Sequence, residues 1–127
     1  MENKLTATDI ENMAKEIREF LIEHELWVDT VIYFNGKAFS TSDGKGNYYY
    51  NDPEHLIVLE NQNPKDYFEY AGDILSMSFE GDLNHCLNYY YDIDFCDRIV
   101  GGLQDIFRKY GCYYELGNAW NLSLYRA

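Results

Sequence analysis

A chain of 127 residues is long enough to bury a single hydrophobic core without disulfide or metal staples. Its 46% hydrophobic and 25% charged residues exclude intrinsic disorder. Its 22 acids against 10 Lys and Arg give a net charge of −12, which excludes tight binding to nucleic-acid phosphates and favours a basic protein as partner.

Residues 8–25 read as an amphipathic helix. Ile10, Met13, Ala14, Ile17, Phe20 and Leu21 share one face of a 3.6-residue period, and Thr8 with Glu11 offers a capping box. The period then changes to that of a strand. Trp27 to Phe34 is rich in β-branched and aromatic residues, and Asn35-Gly36 supplies a type I′ turn into a returning strand from Lys37 to Thr41. A loop at residues 43–47, a third strand at Tyr48-Tyr49-Tyr50 and a fourth at Leu56 to Leu59 complete a meander. Asn63-Pro64 has the cap and first-turn chemistry of a short helix reaching Ala71, with Gly72 as its stop.

Ile74 to Phe79 alternates, with Leu75, Met77 and Phe79 facing one way and Ser76 and Ser78 the other. Residues 82–91 fit both a helix (Leu83, Cys86, Leu87, Tyr90) and a strand (Leu83, His85, Leu87, Tyr89); a start at Gly81-Asp82 favours the helix. Phe95, Ile99, Val100, Leu103, Ile106, Phe107 and Tyr110 mark a second long helix, with Asp94 at its start and Gly111 at its stop. Gly101-Gly102 inside it costs about 1 kcal/mol per residue relative to Ala, so close packing is expected there. Cys112 to Tyr125 reads as two strands joined at Gly117-Asn118, or one strand with a bulge. The sum is one α+β domain over residues 1–127: an antiparallel sheet of five or six strands with two main helices on one face.

Chemistry is harder to find. Met1 to Leu5 lacks the basic region and apolar run of a signal peptide, no apolar stretch is long enough to span a membrane, and a cytoplasmic protein is expected. Cys86, Cys96 and Cys112 have no paired spacing, so reduced thiols packed as small apolar groups are expected. His24, His55 and His85 have no zinc-binding spacing, and Asp92, Asp94 and Asp97 lack the glycine and distal Glu of an EF-hand. No nucleophile–base set, phosphate loop or dinucleotide fingerprint is present, so neither an enzyme nor a cofactor is expected.

The distribution of charge says more. Residues 1–25 carry −4, residues 26–50 none, residues 51–72 −4, residues 73–97 −6 without a single base, and residues 98–127 +2. On the first helix Glu16, Glu19 and Glu23 form a stripe opposite the apolar face. Neighbouring charges in such a stripe lie ~5–6 Å apart, comparable with phosphates along a strand. The base-free run contributes Glu80, Asp82, Asp92, Asp94 and Asp97, interleaved with Tyr89 and Tyr90, which suit an interface. A solvated, solubilising surface is the competing account of the same residues.

Ser76 to Gly81 and Lys109 to Leu122 resemble segments of small acidic proteins carried by bacterial conjugative elements and phages. That resemblance implies an antirestriction or anti-CRISPR inhibitor, some of which occupy a nucleic-acid groove as DNA mimics. The expectation is a non-enzymatic inhibitor of a basic nucleic-acid-handling protein, such as a nuclease. The alternatives are an immunity protein neutralising a basic toxin and, with less support, a small enzyme of unrecognised class.

Overall fold

A computed structural model describes residues 5–67, 71–72, 74–88 and 92–127. The chain runs α1 (Ala7–Glu23), β1 (Thr30–Phe34), β2 (Lys37–Ser40), β3 (Ile57–Leu59), β4 (Leu75–Phe79), α2 (Asp82–Leu87), α3 (Ile93–Lys109), β5 (Cys112–Asn118) and β6 (Asn121–Arg126). The six strands form one antiparallel sheet in the order β3-β2-β1-β4-β6-β5. This is the α+β architecture read from the sequence, and no helix among the described residues is long and apolar enough to cross a membrane.

Period-2 alternation divides the sheet into two faces. Ile32, Phe39, Met77, Phe79, Leu122 and Leu124 point to one side, where they meet Met13, Ile17 and Leu21 of α1, Leu83 of α2, and Ile99, Leu103 and Phe107 of α3. All are buried, and each such side chain contributes about 1.5–3 kcal/mol of hydrophobic stabilisation. The other side holds Tyr33 and Ala38, packed with Leu59, Ala71 and Trp120, beside a Ser76–Ser123 hydroxyl pair at 2.8 Å. β5 and β3 are the two rims. β3 has three residues, whereas β5 has seven, with Tyr113 and Leu116 exposed.

Several boundaries differ from expectation for identifiable reasons. The N-cap of α1 is Thr6, not Thr8: Thr6 Oγ1 accepts from the Asp9 amide, and Asp9 Oδ2 accepts from the Thr6 amide, both at 3.0 Å. The helix stops at Glu23 in a Schellman motif, in which the Leu26 amide bonds Leu21 O and the Glu25 amide bonds Ile22 O. Glu25 adopts φ +59° there, a conformation usually left to glycine. β1 starts only at Thr30, because Asp29 also has positive φ. Tyr48-Tyr49-Tyr50 is not a strand: one bridge joins Ser42 to Tyr48, and Asn51 then turns the chain away with φ +53°.

The predicted helix after Asn63 is a short 3-10 turn, Pro64–Asp66, capped by Asn63; residues 68–70 lie outside the described part. Residues 82–87 are helical, as favoured. The α3 cap is Asp92, whose Oδ1 accepts from the Asp94 and Phe95 amides. Asn35-Gly36 makes the expected turn with both φ positive. In the last hairpin the turn falls at Ala119-Trp120, and Gly117 marks a bulge.

Candidate protein-interaction surface

The topology gathers acids from distant parts of the chain. Glu16 lies against Lys109 and Phe20 against Gly102, so α1 and α3 run antiparallel, and the end of α1 shares a pole of the molecule with the start of α3. Thr30 pairs with Phe79, which brings the α1–β1 connection beside the β4–α2 connection. The β5–β6 turn closes the same pole through hydrogen bonds from the Phe79 amide to Trp120 O and from Asn88 Nδ2 to Ala119 O. Glu19, Glu23, Glu25, Asp29, Glu80, Asp82, Asp92, Asp94 and Asp97 therefore sit at one end, all exposed. The opposite end holds the Asn35-Gly36 turn, Arg108, Lys109 and Arg126.

The acids singled out by sequence have different local roles. Glu16 is engaged inside the fold: Lys109 Nζ donates to its Oε1 at 2.6 Å, and the Tyr110 hydroxyl donates to Oε2. Burial alone would push this carboxyl up, but the two donors outweigh it and hold the group below its ordinary value. Asp92 caps α3, and Asp94 lies in its first turn, where negative charge complements the helix dipole. Glu23 has the reverse setting. It occupies the last turn of α1, which carries no base, against the dipole and four residues from Glu19. Tyr89 and Tyr90 lie outside the described residues.

A second group at this pole was not anticipated. Tyr48 and Tyr50 are 59% and 42% exposed, with ring centroids 5.8 Å apart. The Tyr50 hydroxyl donates to Asp29 Oδ1 at 2.6 Å, and that bond pushes the phenol up to about 12, so it remains a donor. The available signal was composition: residues 40–51 read Ser-Thr-Ser-Asp-Gly-Lys-Gly-Asn-Tyr-Tyr-Tyr-Asn, a mixture characteristic of recognition loops.

Among the described residues, the histidines and cysteines have the following surroundings. His55 Nδ1 lies 2.5 Å from Asp52 Oδ2, but Tyr49 stacks on the imidazole, and among the described residues no hydroxyl or thiol is hydrogen-bonded to its other nitrogen. Burial, with Cys96 alongside, pushes the Cys86 thiol up to about 12, and burial also raises Cys112. No three His, Cys, Asp or Glu side chains converge as metal ligands among the described residues. Hollows of about 320 and 330 Å³ open at the opposite end, around Asn35. Comparison with protein-family models, with curated proteins and with solved structures found no match to this chain.

Proposed function

We propose that this protein is a non-enzymatic cytoplasmic inhibitor that binds a basic nucleic-acid-handling protein and blocks its nucleic-acid site, in the manner of anti-CRISPR or antirestriction proteins. The observation that carries the reading is the gathering of carboxylates from α1, β4–α2 and the start of α3 at one pole, where Arg98 and Lys45 are far outnumbered, while Arg108, Lys109 and Arg126 lie at the other. Glu19 and Glu23 weigh most. Neither has an ion pair among the described contacts, Glu23 opposes the helix dipole, and the two repel each other four residues apart, so the pair serves the fold poorly. Carboxylates at this pole stand in for phosphates, and the charge of −12 steers the encounter with a basic groove.

The test is capture of partners from cells carrying a nuclease effector, identified by mass spectrometry, followed by titration of the captured partner. Two charge-reversed sets are compared, Glu19→Lys with Glu23→Lys, and Glu80→Lys with Asp82→Lys and Asp97→Lys. Each set should weaken binding by about tenfold or more and flatten its salt dependence. Thermal melts should stay level or rise, since exposed charges contribute little to folding. Capture of a toxin would reassign the protein as an immunity protein. Unchanged affinity in both sets, or tight direct binding of the chain to DNA, would overturn the reading.

A further inference from the structure

We propose that the β2–β3 loop, residues 41–56, is a preformed recognition element whose Tyr48 and Tyr50 receive an arginine side chain of the partner. This inference rests on the function proposed above and names the contact within it. A connection of this length without regular structure would ordinarily move, yet this one is anchored along its whole course. Asp43 accepts from the Lys45 and Asn47 amides and from Asn47 Nδ2, closing the first turn. The Tyr49 amide bonds Thr41 O at 2.8 Å. Asn51 brackets Trp27 on both sides, its Oδ1 accepting from the Trp27 amide at 2.8 Å and its own amide donating to Trp27 O at 3.1 Å.

The fourth anchor is the most telling. Arg18 of α1 is 7% exposed, and its Nη2 donates to the backbone oxygens of Asp52 at 2.9 Å and His55 at 3.3 Å. A guanidinium is expensive to bury, and here it engages two loop carbonyls, with no carboxylate hydrogen-bonded to it among the described residues. Such an arrangement fixes a loop. What the fixed loop presents is Tyr48 and Tyr50, side by side and outward, with Tyr50 held by Asp29. Two tyrosines with few rotatable bonds on an ordered backbone lose little entropy on binding.

The charge around them selects the occupant. Asp29 is hydrogen-bonded to Tyr50, and the loop itself carries Asp43, Asp52 and Glu54 against Lys45 as its one Lys or Arg. A cation is therefore favoured. Arginine fits better than lysine, because its planar guanidinium stacks on a phenol face while its donors fork onto a carboxylate.

The test is a titration of the ¹⁵N-labelled whole chain with two synthetic peptides, (Gly-Arg)₄ and (Gly-Lys)₄, followed by amide chemical shifts. The arginine peptide should shift Asp29, Tyr48, Tyr50 and Asn51, and should bind several-fold more tightly than the lysine peptide. Tyr48→Ala with Tyr50→Ala should weaken it by roughly tenfold, with the remaining spectrum reporting an intact fold. Equal affinity for the two peptides, shifts confined to α1 and α3, or no binding would overturn the proposal. Shifts confined to α1 and α3 would leave the inhibitor reading standing. Arginine binding at the loop, with no nucleic-acid-handling protein captured from cells, would overturn that reading and keep this one.

Discussion

Phe20 of α1 lies so close to the backbone of Gly102 in α3 that a Cβ on Gly102 would stand 2.4 Å from Phe20 Cζ. Neighbouring Gly101 faces open space, with nothing within 4 Å of the same position. One glycine thus lets two helices approach, and the other only weakens its own helix. Gly101→Ala should raise stability by about 0.5–1 kcal/mol. Gly102→Ala must displace the Phe20 ring and should lower stability by about 1 kcal/mol, overpacking outweighing the gain in helix propensity. Urea denaturation of the two variants measures both signs, and equal shifts would remove the account.

Glu25 carries the left-handed conformation that ends α1. An L side chain there costs roughly 1 kcal/mol, and glycine bears none of it. Glu25→Gly should therefore stabilise the fold by about 0.5–1 kcal/mol, less the larger entropy of the unfolded chain. The same denaturation experiment reads it. A loss of stability would mean that the Glu25 side chain makes a contact worth more than the strain.

Glu16 ties the two long helices together through Lys109 and Tyr110, and its carboxyl is held below the ordinary value of 4.5. A carboxyl lowered in the folded state stabilises the protein fully above its unfolded pKa and loses that contribution as pH falls through the folded value. The gap in melting temperature between the native protein and Glu16→Gln should accordingly be widest above pH 4.5 and should close below it. A gap independent of pH would assign the contact to packing alone.

All three thiols are buried. Cys86, pushed up to about 12, holds almost no thiolate at neutral pH, and the thiolate is the reactive form. Iodoacetamide at pH 7.5 should leave the native protein unmodified and add to every thiol in denaturant, as read by intact mass. A native adduct at Cys86 would point to opening of the α2–α3 packing.

How much of this was legible beforehand follows from the range of each interaction. The apolar spacing from Ile10 to Leu21 and from Phe95 to Tyr110 defines α1 and α3 because helix periodicity is local, and Asn35-Gly36 defines its turn for the same reason. Tyr48 to Tyr50 was misread as a strand. Tyrosine's β-propensity reflects a fit to a half-buried pleat, and here Asn51 docks on Trp27, 24 residues away, and draws the chain off the sheet. The acids were visible, but not that Glu16 is held by groups 93 and 94 residues distant. Nor could spacing reveal that Glu23 and Glu80 share a pole, since strand order decides it.

The long rim strand β5 has a further consequence. Seven residues with exposed Tyr113 and Leu116, one charge in Glu115, and neither proline nor lysine form a template for another strand that only the bulge at Gly117 interrupts. At neutral pH two copies carrying −12 each repel before their rims can meet. The acidity thus also serves colloidal stability, guarding a margin that the strand itself protects only at its Gly117 end. Near pH 4.4, the isoelectric point of the sequence, that repulsion is lost, and association of copies through the β5 rim is the expected outcome.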